Sequence, residues 1–151
     1  IQPIMKKIKL ILAVMAVLFT SVSCLEKEVL KDSHLYGKWV VTEVSYYEYE
    51  NDKLSFSETT YASTNFNWYF QFTNDGKGQF VRIEEGVPYI TEIKSWVLLD
   101  DSLVIRYEDD ESETYKISYL NRSDLQMSES EAYTEDGIHY QEVYSLTLRK
   151  L

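Results

Sequence analysis

From Gly37 onward the chain has no helical period. Apolar and polar residues alternate in short runs, so that Trp68, Phe70 and Phe72, then Leu103, Ile105 and Tyr107, then Tyr115, Ile117 and Tyr119, and then Tyr144, Leu146 and Leu148 each fall on one face of a strand. Val, Ile, Thr, Tyr and Trp dominate these runs, as half-buried strands require. The pattern predicts eight strands, over Lys38–Glu48, Asn67–Thr73, Gly78–Glu84, Tyr89–Leu99, Leu103–Tyr107, Glu113–Leu120, Asp124–Tyr133 and Ile138–Arg149. Asn74-Asp75-Gly76-Lys77, Asp100-Asp101 and Asn121-Arg122-Ser123 are turn chemistry of hairpin length, which makes the strands an antiparallel meander. Closing the sheet on itself removes both edges. The expectation is therefore an all-β, eight-stranded antiparallel up-and-down barrel with room for side chains or one small ligand, a two-sheet sandwich being the other arrangement.

Before Gly37 the pattern is different. Met5 to Cys24 has a cationic start (Lys6, Lys7, Lys9), an apolar run from Leu10 to Phe19 and small residues ahead of the cysteine, the physical parts of a secretory signal peptide. The run is about half of the roughly 20 residues a bilayer span needs. Cys24, the one cysteine in the chain, stands where the run gives out, and its setting resembles the lipobox of bacterial lipoproteins. Ser21 occupies the place where those boxes favour leucine, while Val22 and Ser23 fit. The resemblance implies that Cys24 is diacylated and becomes the first mature residue, so that the membrane is a partner through its lipid; ordinary secretion is the alternative. The expected organisation is a signal peptide at 1–23 (5–23 if Met5 is the start), a lipidated tether at 24–36 and one domain at 37–151. The tether reaches at most about 40 Å. Leu25-Glu26-Lys27-Glu28 is similar to the acidic signals that send such lipoproteins to the cell surface, so the expected address is the outer membrane, on its periplasmic face or outside.

Charge narrows the partners. Without Lys6, Lys7 and Lys9 the chain has 12 basic against 25 acidic side chains, a net −13, which disfavours nucleic acid. With no second cysteine there is no disulfide, and the core alone must hold the domain. Charged residues on both faces of several strands (Arg82, Glu92, Lys94, Arg106, Glu129, Glu131) leave no continuous lipid-facing band, so the barrel is not expected to be an integral membrane one.

Gly37-Lys38-Trp39 at the start of the first strand resembles the Gly-x-Trp of lipocalins, whose tryptophan plugs the closed end. Arg149 resembles the arginine that packs on it. The succession GKWVVTEV, FQFTNDGKGQF, KSWVLLDDSLVIRY, YKISYL, DLQM and SLTLRK is similar to the lipocalin-like lipoprotein domains of Bacteroidota from Gly37 to Leu151. That resemblance implies a lipocalin-like barrel with a possible internal ligand, closed by Trp39 and Arg149, and a long first connection, Tyr49 to Phe66, that partly lids the mouth.

Sorting strand ends along such a barrel places Tyr46, Tyr47, Tyr49, Tyr61, Tyr69, Tyr89, Tyr107, Tyr115, Tyr133 and Tyr140, with Trp68, toward the open end. Trp39, Phe72, Leu99, Leu103, Leu120, Leu125, Leu146 and Leu148 gather at the other, as a dry plug. Tyrosine joins an apolar face to a hydrogen-bonding tip and suits a ligand or a partner, although it is also simply common in strands. The candidate rim is Tyr46, Trp68, Tyr89, Tyr107, Tyr115, Tyr133 and Tyr140. The acidic residues map to the same end, where their field would favour a neutral or cationic ligand over an anionic one; solvated hairpin tips are the plainer explanation of them. Two histidines, His34 and His139, and an acidic run without a calcium-loop spacing offer no metal site, and no catalytic motif appears, so neither a cofactor nor an enzymatic activity is expected. The rival to a ligand carrier is a non-catalytic interaction module that docks an envelope protein on the same rim.

Overall fold

The computed structural model describes residues 30–151; the expected signal peptide, Cys24 and the first part of the tether lie outside the described residues. A single turn of helix, α1 (Asp32–Leu35), leads into nine strands: β1 (Gly37–Glu50), β2 (Lys53–Tyr61), β3 (Asn67–Phe72), β4 (Gly78–Glu84), β5 (Val87–Leu99), β6 (Ser102–Tyr107), β7 (Ser112–Leu120), β8 (Asp124–Glu135) and β9 (Ile138–Lys150). Neighbours from β3 to β9 pair antiparallel in chain order. β1 closes the circle, pairing with β3 through Gly37–Val40 and with β9 from Trp39 to Glu50. Eight strands thus form the closed barrel that the alternation predicts.

The ninth strand is a correction. The expected lid loop contains β2, which takes over the edge of β1 where β3 leaves it, from Glu43↔Tyr61 to Glu50↔Lys53. Asn51 and Asp52 make the two-residue turn, both at positive φ (48° and 64°), the conformation that matches strand twist. Every residue of β2 is exposed, so backbone pairing rather than core burial forms it.

The closed end is built around Trp39, which is fully buried. Its Nε1–H donates to the Leu35 carbonyl at 2.7 Å, tying α1 across the barrel bottom with Leu35 itself buried. Phe72, Leu103, Leu120, Leu125, Met127 and Leu148 complete the plug. Gly37, at φ 119°, permits the bend into β1, and a Cβ there would lie 2.9 Å from Lys150 Cε.

Two expectations about this end change. The cation over the Trp39 ring is Lys150, with Nζ 5.2 Å from its centroid and a hydrogen bond to the His34 carbonyl at 3.2 Å. Arg149 is one residue out of phase with Leu146, Leu148 and Lys150, so it points outward and pairs with Asp124 at 3.7 Å. Leu99, expected in the plug, is 57% exposed. A register shift between Ile93 and Ser95 turns Trp96 and Leu98 inward in its place.

Candidate functional site

Above the plug the barrel holds a cavity of about 530 Å³, lined by Val44, Trp68, Phe70, Phe80, Arg82, Thr91, Tyr107, Asp109, Glu111, Glu113, Tyr115, Glu129, Tyr144 and Leu146. Its floor is aromatic. Phe70 stacks on Phe80 with ring centroids 4.5 Å apart, and Tyr115, from the opposite side of the barrel, meets Phe70 edge-on at 6.3 Å. Trp68 sits edge-on to Phe80 at 6.0 Å and packs against Phe66 at 4.5 Å. Alternation fixes these directions: Trp68, Phe70 and Phe72 share the inner face of β3, and Phe80 stands opposite Phe70 in the register.

The other wall is polar. Glu113 Oε2 accepts both the Tyr107 hydroxyl at 2.6 Å and the Tyr115 hydroxyl at 2.7 Å. Both phenols are pushed well above the usual tyrosine range, first by burial and then by Glu113, so they stay neutral donors. Glu129 holds its proton more tightly than an ordinary carboxyl because of burial first and the charges of Glu113 and Glu131 next. Arg82, the base on the lining, pairs with Glu84 at 3.5 Å.

The candidate rim divides into three. Trp68, Tyr107 and Tyr115 line the cavity. Tyr46 stands higher, its ring 4.8 Å from Tyr144 and 6.0 Å from Phe56, with its pKa pushed up to about 12 by partial desolvation and then by Glu142 and Glu48. Tyr133 and Tyr140 stack at 5.2 Å at the far tip of the β8–β9 hairpin, and Tyr89 is 50% exposed at the start of β5, outside the lining. Other tyrosines of that end belong to a different face: Tyr69 lies outside the barrel under Lys38 Nζ, 3.8 Å from its ring centroid. Equal height along the barrel axis does not by itself bring these residues together in space.

Phe70, Phe80, Glu113, Glu129 and Tyr144 were not among the candidates. The signal was present, since Glu113 shares its face with Tyr115 and Ile117, and Glu129 with Leu125 and Met127. Part of the acidic field also points away from the cavity: Asp110 turns out to Lys94 at 3.0 Å, which holds its carboxyl below the usual range.

Among the described residues there is no cluster of three or more His, Cys, Asp or Glu side chains placed to hold a metal ion, and no helix is long and apolar enough to cross a membrane. A family model described as a lipocalin-like domain matches residues 35–127, from the end of α1 into β8. No curated protein matches the chain.

Proposed function

The chain belongs to the lipocalin-like domain family, whose barrels suit ligand binding and small-molecule carriage in general, and from that premise we propose that this protein holds a small neutral or cationic molecule in its open-end cavity while a lipid on Cys24 anchors it to the outer membrane. The cavity carries the reading. Its volume of about 530 Å³ is within the usual compass of small-molecule sites, and it combines apolar walls with a few convergent polar groups. Asp109, Glu111, Glu113 and Glu129 line it against Arg82 alone, so an anionic ligand would meet a repulsive field. Non-catalytic binding is also the typical role of this fold.

The tether would approach the barrel beside α1 and Trp39, at the closed end, so that the cavity faces away from the membrane. One feature favours a second reading, docking of an envelope protein: β2 is an edge strand that leaves Leu54 and Phe56 in solvent. Native mass spectrometry of the protein recovered from envelope extract separates the two. A bound mass of a few hundred daltons supports the carrier; a bound polypeptide and an empty barrel overturn it in favour of docking.

A further inference from the structure

The cavity has two walls of opposite chemistry. β3 and β4 contribute the rings of Trp68, Phe70 and Phe80, while β6 to β9 contribute Tyr107, Glu113, Tyr115, Glu129 and Tyr144. On the second wall, two of the three phenol hydroxyls are already spent on a single oxygen, Glu113 Oε2. On the strands of that wall this leaves the other oxygen of Glu113 and the carboxylate of Glu129 as acceptors, with Asp109 and Glu111 on the β6–β7 turn beside them.

Neither carboxylate has a counter-ion among the described residues. The ion pairs among the described residues are Arg82–Glu84, Lys94–Asp110, Lys116–Asp101 and Arg149–Asp124, none of which includes Glu113 or Glu129. Two carboxylates on one wall repel each other, and a proton or a bound cation relieves the repulsion. The raised proton affinity of Glu129, which has burial as its main cause and Glu113 next, is consistent with that strain.

We infer that the ligand is a protonated primary amine with a compact apolar body, its ammonium lodged between Glu113 and Glu129 and its body laid against Trp68, Phe70 and Phe80. This inference rests on the cavity being the binding site. An ammonium brings three donors and no acceptor, the complement of a wall rich in acceptors and negative charge. The aromatic wall takes the body by apolar contact. A neutral alcohol of the same shape would fill the space and leave the carboxylates unrelieved. A carboxylic acid would meet them head-on.

Calorimetric titration of the purified protein with 2-phenylethylamine, 2-phenylethanol and phenylacetate tests it. The amine is expected to bind about tenfold or more tighter than the alcohol, and phenylacetate not measurably, since a hydrogen bond to a charged group is worth more than a neutral one. Glu113→Gln and Glu129→Gln should each cost the amine about tenfold while leaving the alcohol within about twofold. Asp110→Asn, on the outside against Lys94, should change neither. Equal binding of amine and alcohol overturns the amine assignment and leaves the cavity reading intact. No binding by any of the three overturns both, and an amine loss in Asp110→Asn as large as in Glu129→Gln overturns the assignment by showing only a diffuse field.

Discussion

The ring of Tyr115 meets that of Phe70 edge-on at 6.3 Å, from β7 on one side of the barrel to β3 on the other. That contact separates the packed lower half from the open upper half. The Tyr115 hydroxyl, meanwhile, is held by Glu113. Tyr115→Phe keeps the ring and removes the hydrogen bond, so the floor should persist while the half-buried Glu113 carboxylate loses one of its two phenol donors. The expected cost is about 1.5–3 kcal/mol, read from urea unfolding.

The closed end predicts a contrast between adjacent residues. Lys150→Ala removes both the cation over Trp39 and the hydrogen bond to the His34 carbonyl, and should cost about 1–2 kcal/mol. Arg149→Ala breaks only an exposed ion pair with Asp124 and should cost less than about 0.5 kcal/mol. Reversed costs would mean that the arginine, as first expected, closes the barrel.

Glu129 gives a pH signature. Its folded pKa lies above the ordinary 4.5, so ionising it disfavours the folded state: the contribution is fully present below that ordinary value and is lost as pH rises through the raised one. Glu129→Gln removes the penalty. The variant's urea midpoint should exceed the parent's at neutral pH, with the gap closing as pH falls below 4.5.

Gly78 stands opposite Phe72 at the turn end of the β3–β4 hairpin, and a Cβ there would lie 2.0 Å from the Gln71 carbonyl oxygen. No rotamer relieves a clash with backbone. Gly78→Ala should destabilise by more than about 2 kcal/mol, whereas Gly137→Ala, at a turn with open space around it, should show only the smaller strain of its positive φ.

Cys24→Ser tests the anchor. The variant should be exported but released from the membrane fraction, and membrane retention equal to the parent's would contradict lipid attachment.

These residues also show what the sequence made legible. Strands that bury one face announced themselves by alternation, as Trp68, Phe70 and Phe72 do, and the meander followed from the turns. β2 did not, because Lys53–Tyr61 buries nothing and its strand exists through pairing with β1. Leu99 was misplaced because the register shift between Ile93 and Ser95 exchanges the two faces of β5 without a mark in the pattern. The site was half legible. Sorting residues by height along the barrel found Trp68, Tyr107 and Tyr115, but it also admitted Tyr89, Tyr133 and Tyr140, which share a face with the lining residues Thr91, Glu129 and Tyr144 yet stand nearer the strand tips, clear of the cavity. Sorting by face as well would have added Glu113 and Glu129.

The three tryptophans provide the most direct test that the open-end cavity is where a ligand sits. Trp39 and Trp96 are fixed in the closed end by indole hydrogen bonds to the Leu35 and Lys77 carbonyls at 2.7 and 2.9 Å, while Trp68 lines the cavity. In a ¹H–¹⁵N spectrum of the purified protein titrated with 2-phenylethanol or 2-phenylethylamine, the Trp68 indole resonance should shift saturably while those of Trp39 and Trp96 stay in place. A Trp68 resonance that does not move with either probe, or shifts confined to the other two indoles, would contradict the account.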